Sequence, residues 1–154
     1  MSHRTITREK ASTASLCTPT ERVMVGAMGG VVAGVVFGMM MNMLHMMGSI
    51  AMLVGSKSNV VGWATHIAIS MVLGIAFSLL FEKRIQNLKT GLGYGIAYGM
   101  FWWVLGGLVL MPAKLKMPIF HFNTMAWQSL MGHVVFGMVL GALVVAIPSV
   151  MKKK

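Results

Sequence analysis

The sequence predicts an all-α membrane protein, a bundle of four transmembrane helices built from two tandem helical hairpins. Hydrophobic residues make up 56% of the 154 residues and charged residues only 10%, which excludes a water-soluble globule or a disordered chain. The charges leave four uncharged windows, each longer than the roughly 20 apolar residues that cross about 30 Å of hydrocarbon. These windows run from Val23 to Ser56, from Ser58 to Phe81, from Thr90 to Ala113 and from Met117 to Met151.

Each window is expected to contain one helix. Pro112 should end the third helix and Pro148 the fourth, because proline removes a backbone donor from a helix. The predicted domains are a basic tail of residues 1–22, a transmembrane domain of residues 23–151 and a lysine tail of residues 152–154. The predicted spans are Val23 to Met47, Val60 to Phe81, Gly91 to Met111 and Met125 to Ile147.

Two matching patterns indicate that one hairpin was duplicated. Glycine recurs every fourth residue in the first and third windows, and His66 and His133 each precede Met-Val-Leu-Gly at the same spacing. The repeats would cover about residues 23–81 and 91–147. Small residues four apart form one ridge of a helix and allow close packing of backbones. The glycines predicted to pack the helices are Gly26, Gly30, Gly34, Gly38, Gly74, Gly91, Gly95, Gly99, Gly137 and Gly141.

The basic residues predict the orientation of the chain. Ten Lys and Arg residues belong to the two termini and the loop after the second helix, whereas only Lys57, Lys114 and Lys116 belong to the other side. The positive-inside rule then places both termini in the cytoplasm, and we expect a prokaryotic plasma membrane. The basic side should attract anionic lipid head groups. Nucleic acid is not expected as a partner, because topology accounts for the +10 net charge.

Few side chains in the predicted spans carry chemistry. No carboxylate lies within them, and His66 with Ser70 lacks an orienting acid, so we expect no enzyme. No cofactor is required by the sequence. However, His66 and His133 would be symmetric partners after duplication, and they could ligate a haem from opposite helices or share a metal ion. The alternative is that each imidazole forms a hydrogen bond to a neighbouring helix.

Methionine is unusually frequent, with eighteen residues, several of them in one run near the end of the first span. Thioethers and imidazoles suit Cu(I), so one hypothesis from the sequence is a copper site on the outer side. The alternative is that methionine is a flexible apolar filler of helix contacts. The candidate copper ligands are Met39, Met43, His45, Met46, Met117 and His121.

Three segments resemble small uncharacterised four-span membrane proteins of archaea and bacteria, over about residues 23–147. They are Gly62-Trp63-Ala-Thr-His66, Tyr98-Gly-Met-Phe-Trp-Trp103-Val-Leu-Gly-Gly-Leu-Val-Leu-Met111-Pro112 and Ser129-Leu-Met-Gly-His133. The resemblance implies the four-span fold and brings no activity to this chain.

The function predicted from these features is that of an accessory or scaffold subunit in a larger membrane complex, including a redox or copper-dependent one. Its partners would be other integral membrane proteins, and the aromatic residues from Tyr94 to Trp103 should face lipid or a partner subunit. Two alternatives remain open. One is a homo-oligomeric passive channel or carrier with a path lined by His66, Ser70, His133 and Asn42, and the other is a copper(I)- or haem-binding membrane protein.

Overall fold

Four long apolar helices pack as a bundle in the computed structural model, which describes residues 18–151 and side chains as far as Pro148. This confirms the predicted all-α fold, and all four helices are long and apolar enough to cross a membrane. The predictions for the tails at residues 1–17 and 152–154 lie outside the described residues. The first hairpin consists of α1 (Pro19–Met43), α2 (Met47–Met52), α3 (Asn59–Phe81) and a 3-10 turn (Glu82–Arg84). The second consists of α4 (Leu88–Trp102), a π-helical segment (Trp103–Leu110), α5 (Met111–Lys114) and α6 (Thr124–Met151).

Glycines bring α1 and α3 into backbone contact in the first hairpin. A Cβ atom built on Gly26 would lie 2.6 Å from the Gly74 carbonyl oxygen, and one on Gly34 would lie 2.7 Å from Ser70 Oγ. A Cβ on Gly38 would overlap with the Trp63 ring. These separations are shorter than van der Waals contact, so larger residues at these positions would push the two helices apart.

The second hairpin is packed in the same way. A Cβ atom on Gly91 would lie 2.6 Å from the Gly141 carbonyl oxygen, and one on Gly99 would overlap with the His133 carbonyl group. Gly95 and Gly137 occupy the centre of this contact. The pairs α1–α3 and α4–α6 therefore have equivalent interfaces, which is the relationship that a duplicated hairpin would produce.

The two hairpins meet along α1 and α6. On the opposite side, aromatic rings of α3 and α4 form the contact: Phe77 packs on Tyr98, and Phe81 packs on Tyr94. Tyr98 is buried and its hydroxyl donates a hydrogen bond to the Leu73 carbonyl oxygen at 2.8 Å. The prediction that these aromatic residues face lipid or a partner is therefore wrong for Tyr98, because its ring fills the space between the hairpins.

The first helix begins and ends earlier than predicted. Thr18 and Glu21 form a capping box, in which Thr18 Oγ1 accepts from the Glu21 backbone and Glu21 Oε2 accepts from the Thr18 backbone at 2.6 Å. This cap starts α1 at Pro19, so Arg22 belongs to the helix and not to the tail. At the other end, the chain turns at His45, which has a positive φ of 55° and separates α1 from α2.

Neither of the two prolines expected to end a helix does so. Pro148 lies inside α6, which continues to Met151, and Pro112 lies at the start of α5, which continues to Lys114. Because Pro112 has no N–H, it cannot bond to the carbonyl oxygen of Leu108 four residues earlier. The backbone N–H of Phe120, in the following loop, donates to that oxygen instead, at 3.0 Å. The loop therefore supplies the donor that the proline lacks.

A buried ion pair closes one end of the first hairpin. Arg22 Nε lies 3.0 Å from Glu82 Oε2, and the two side chains are only 10% and 7% exposed. Glu82 lies in the 3-10 turn directly after α3, one residue beyond the predicted second span and within the candidate span Asn59–Arg84. Arg22 likewise contributes to the packing of α1 on the turn after α3, because the pair joins these two elements.

Candidate ligand-binding site

His66 links α3 to α1 through a polar contact. Its Nε2 atom donates a hydrogen bond to the Gly34 carbonyl oxygen at 3.0 Å, and the side chain is buried. Gly34 has no side chain to hold α3 away, so the carbonyl group comes within reach of the imidazole. Ser70, one turn along the same face of α3, is also buried. His66 thus forms the bond to a neighbouring helix that was one alternative from the sequence.

His133 is held differently, although it occupies the equivalent place in the repeat. Its Nδ1 atom donates a hydrogen bond to the carbonyl oxygen of Ser129 at 2.8 Å, one turn earlier in α6. The Ser129 hydroxyl is 3.3 Å from the same nitrogen. The described hydrogen bonds of His133 therefore stay within its own helix, and the expected bond to a neighbouring helix is wrong for this residue.

Phe37 of α1 brings the two histidines into one cluster. Its ring makes edge contacts with both imidazoles, with centroid distances of 5.3 Å to His66 and 4.9 Å to His133. The ring also packs against Gly132, where a Cβ atom would overlap with it. Phe37 therefore packs α1 against α6 through Gly132. Its ring also lies between His66 of α3 and His133 of α6.

A cavity of about 420 Å³ lies between the hairpins, next to this cluster. All four long helices and α2 contribute to its lining. Its polar groups are few: His66, His133, two serines (Ser70 and Ser129), Lys114 and the indole N–H of Trp102, which is buried without a hydrogen-bond partner among the described residues. The apolar part of the lining includes Met41, Ile69, Leu73, Leu110, Met111 and Phe136.

The π-helical segment makes room for the cavity. Gly106 and Gly107 lie in this segment and line the cavity. A Cβ atom on Gly106 would have the Trp102 ring at 3.9 Å as its only described neighbour within 4 Å, so the space beside this residue is open. Wide helical turns of this kind are frequent at functional sites. The sequence analysis missed this segment, although a pair of adjacent glycines inside an apolar helix was the available signal.

The six candidate copper ligands differ in their exposure. Met46 is buried and lines the cavity, but Met39 and Met43 are exposed on α1, and His45 is exposed in the turn after it. The remaining two, Met117 and His121, are exposed in the loop between α5 and α6. Nine residues of helix point in every direction, so only some of the methionines in the run could converge on one ion. Within residues 18–151, no group of three His, Cys, Asp or Glu side chains is placed to hold a metal ion.

The channel or carrier alternative named four lining residues, and the structure brings three of them together. His66, Ser70 and His133 all line the cavity, whereas Asn42 is exposed near the end of α1. The lining residues that the sequence analysis did not select include Phe37, Trp102 and Lys114. Phe37 and Trp102 carry no spacing signal of their own, because in the sequence an aromatic residue beside a cavity is no different from one in a packed core.

Comparison of the chain with known protein families, with curated proteins and with solved structures finds no match. The resemblance to small four-span membrane proteins of archaea and bacteria thus stays a prediction. The assignment of a function depends on the cavity and its lining.

Proposed function

We propose that this multi-pass membrane protein binds one apolar small molecule in the cavity between its hairpins, and that it does so without catalysing a reaction. The observation that carries the proposal is the cavity itself, about 420 Å³ in volume and located among the candidate spans. Pockets of about 300–1,000 Å³ with mostly apolar walls and a few polar groups are typical of small-molecule sites. Such a site agrees with the carrier alternative from the sequence.

The contacts of the histidines support binding over catalysis. Ser129 and His133 are the nearest approach to a nucleophile and a base, with 3.3 Å between Ser129 Oγ and His133 Nδ1. However, Nδ1 donates its proton to the Ser129 carbonyl oxygen, so it has no lone pair with which to activate the hydroxyl. The lining also includes no carboxylate to orient an imidazole.

The charge distribution supports an orientation for the site. With the termini in the cytoplasm, the end of the cavity marked by Met46 and Lys114 belongs to the outer half of a prokaryotic plasma membrane. Lys114 extends from the last turn of the third span, where a lysine can lie along apolar surface and reach the interface. On the inner side, Lys83, Arg84 and Lys89 would meet anionic lipid head groups.

A second role is supported by the loop between α5 and α6. Met117, Ile119, Phe120 and Phe122 are all at least half exposed in this loop, beside Trp127 at the start of α6. Exposed apolar residues outside a helix favour contact with another integral membrane protein or with the membrane surface. This supports the role of an accessory subunit of a larger complex. The subunit would supply its ligand-binding cavity to that complex.

Analysis of co-purified small molecules tests the binding function. Gly106→Leu should fill the cavity, because the space beside Gly106 is open. Gly93→Leu is the matched control, since Gly93 is exposed on α4 and a Cβ there has nothing within 4 Å. We expect the wild type and Gly93→Leu to retain a stoichiometric apolar molecule through mild-detergent purification, and Gly106→Leu to lose it. Equal retention in all three proteins would contradict the assignment of the cavity. The foreign subunits found in the same purification test the accessory role.

A further inference from the structure

The hydrogen bonds of the two histidines determine which ring nitrogen of each can still accept a hydrogen bond. His66 donates from Nε2 to a carbonyl oxygen, and His133 donates from Nδ1 to another. A carbonyl group can only accept, so each of these nitrogens carries the proton of an uncharged imidazole. The other nitrogen, Nδ1 of His66 and Nε2 of His133, then carries a lone pair.

These two lone pairs belong to side chains that line the same cavity. Among the described residues, neither nitrogen has a hydrogen-bond partner. The Cε1 atom of His133, which lies between the two ring nitrogens, is 3.8 Å from a Cβ built on Gly107, so the Cε1 corner of the ring is turned toward the π-helical segment of the cavity wall. The two histidines thus offer hydrogen-bond acceptors to the cavity, beside donors such as the Trp102 indole N–H.

We infer that the ligand is an apolar molecule with a hydroxyl group, and that this hydroxyl donates a hydrogen bond to the free nitrogen of His66 or His133. The inference rests on the proposed function, since it names the chemistry of the molecule that the cavity holds. A single metal ion also binds to lone pairs, but it would leave most of about 420 Å³ of apolar space unfilled. A hydroxyl on an apolar body satisfies both the acceptors and the apolar walls.

Binding of matched probes tests this inference. The full-length protein is purified, stripped of endogenous lipid and placed in nanodiscs of stated phosphatidylcholine composition. Saturable binding is then measured for two radiolabelled pairs: dodecanol with dodecyl methyl ether, and octylphenol with octylanisole. Each ether has the same apolar body but no donor. We expect the hydroxyl compound of at least one pair to bind about three- to tenfold more tightly than its ether, as one additional hydrogen bond would produce. The pair that shows the preference identifies an aliphatic or a phenolic ligand.

Histidine variants test whether the preference for the hydroxyl compound arises at His66 and His133. His133→Phe should reduce the preference for the hydroxyl compound, and the His66→Phe/His133→Phe double variant should abolish it while the ether still binds. His121→Phe is the control, because His121 is exposed in the external loop. His133 forms its described hydrogen bonds only within its own helix, so its single variant keeps the link between α1 and α3 and remains informative if the double variant does not fold.

The outcomes separate the two proposals. Equal affinity of the wild type for alcohols and ethers would overturn the hydroxyl inference and leave the cavity as an apolar site. A preference that survives in both histidine variants would also overturn it. If neither member of either pair binds saturably to the wild type, the proposed function itself fails.

Discussion

Gly95 and Gly137 lie so close together that a Cβ atom on either one would overlap with the carbonyl oxygen of the other. The contact is reciprocal and sits between neighbouring glycine contacts of α4 and α6. Lipid chains are as apolar as the helix surfaces, so close packing of this type is a main source of helix association in a membrane. The second hairpin therefore depends on the absence of side chains at these two positions.

Gly95→Ala should separate α4 from α6, because an added methyl group meets backbone that cannot move aside. We expect a clear drop in the thermal midpoint of unfolding in detergent, corresponding to at least about 1–3 kcal/mol of overpacking. Gly93→Ala, two residues away on the same helix, should leave the midpoint unchanged or raise it slightly, since its Cβ has open space and alanine is the better helix former. Similar midpoints for the two variants would show that the glycine contact does not hold this hairpin together.

Glu82→Gln should destabilise the first hairpin by leaving the Arg22 charge without its carboxylate partner in a buried position. Loss of one member of a buried pair typically costs about 3–5 kcal/mol. The Arg22→Met/Glu82→Met double variant should recover much of this loss, because it removes both charges. Unfolding in detergent provides the measurement, with Lys83→Gln as an exposed neighbouring control. A double variant less stable than the single one would show that the pair has a role beyond mutual neutralisation.

Phe37→Leu should loosen the contact between α1 and α6 and enlarge the cavity. Phe37 is buried and touches both histidines, so the smaller side chain leaves part of this space empty at a cost of about 1–3 kcal/mol. Phe101→Leu, at an exposed position of α4, should change stability little. Unfolding midpoints and the capacity for longer apolar probes are the two measurements. Unchanged values of both in Phe37→Leu would exclude Phe37 as a wall of the ligand site.

The orientation can be measured with the single natural cysteine. Cys17 belongs to the basic N-terminal part of the chain, which the positive-inside rule places in the cytoplasm. We expect a membrane-impermeant maleimide to leave Cys17 unlabelled in intact cells and to label it after lysis. In a Cys17→Ser background, Lys116→Cys should react in intact cells, because Lys116 is exposed in the loop between α5 and α6. The reverse labelling pattern would show that the chain has the opposite orientation in the membrane.

The sequence predicted the helices well because composition alone determines where a chain can cross a membrane. It did not predict the helix ends, since these depend on local hydrogen bonds. Thr18 and Glu21 extend α1 backwards through their reciprocal cap, and Pro148 is accommodated within α6. Proline removes one backbone donor from a helix but does not by itself end it, and at Pro112 the oxygen left without a helical donor accepts from Phe120.

The site was predicted only in part. His66, His133 and Ser70 were selected because polar residues in a span are uncommon, and the structure places them on one cavity. The methionine run had two interpretations, a copper site or apolar filling of helix contacts, and Met46 is the one of its candidate ligands that lines the cavity. The cavity could not be predicted, because it arises from how two hairpins meet. No periodicity within a single helix encodes that contact.

One hydrogen bond between the bundle and the loop that joins α5 to α6 forms where Pro112 supplies no backbone donor. Pro112 leaves the Leu108 carbonyl oxygen open, and Phe120 occupies it. Any residue other than proline at position 112 would bring its own N–H group and compete with Phe120 for that oxygen. Replacement of this imino acid would thus weaken the bond that holds Phe120 against the bundle, even though the substitution itself restores an ordinary helical backbone.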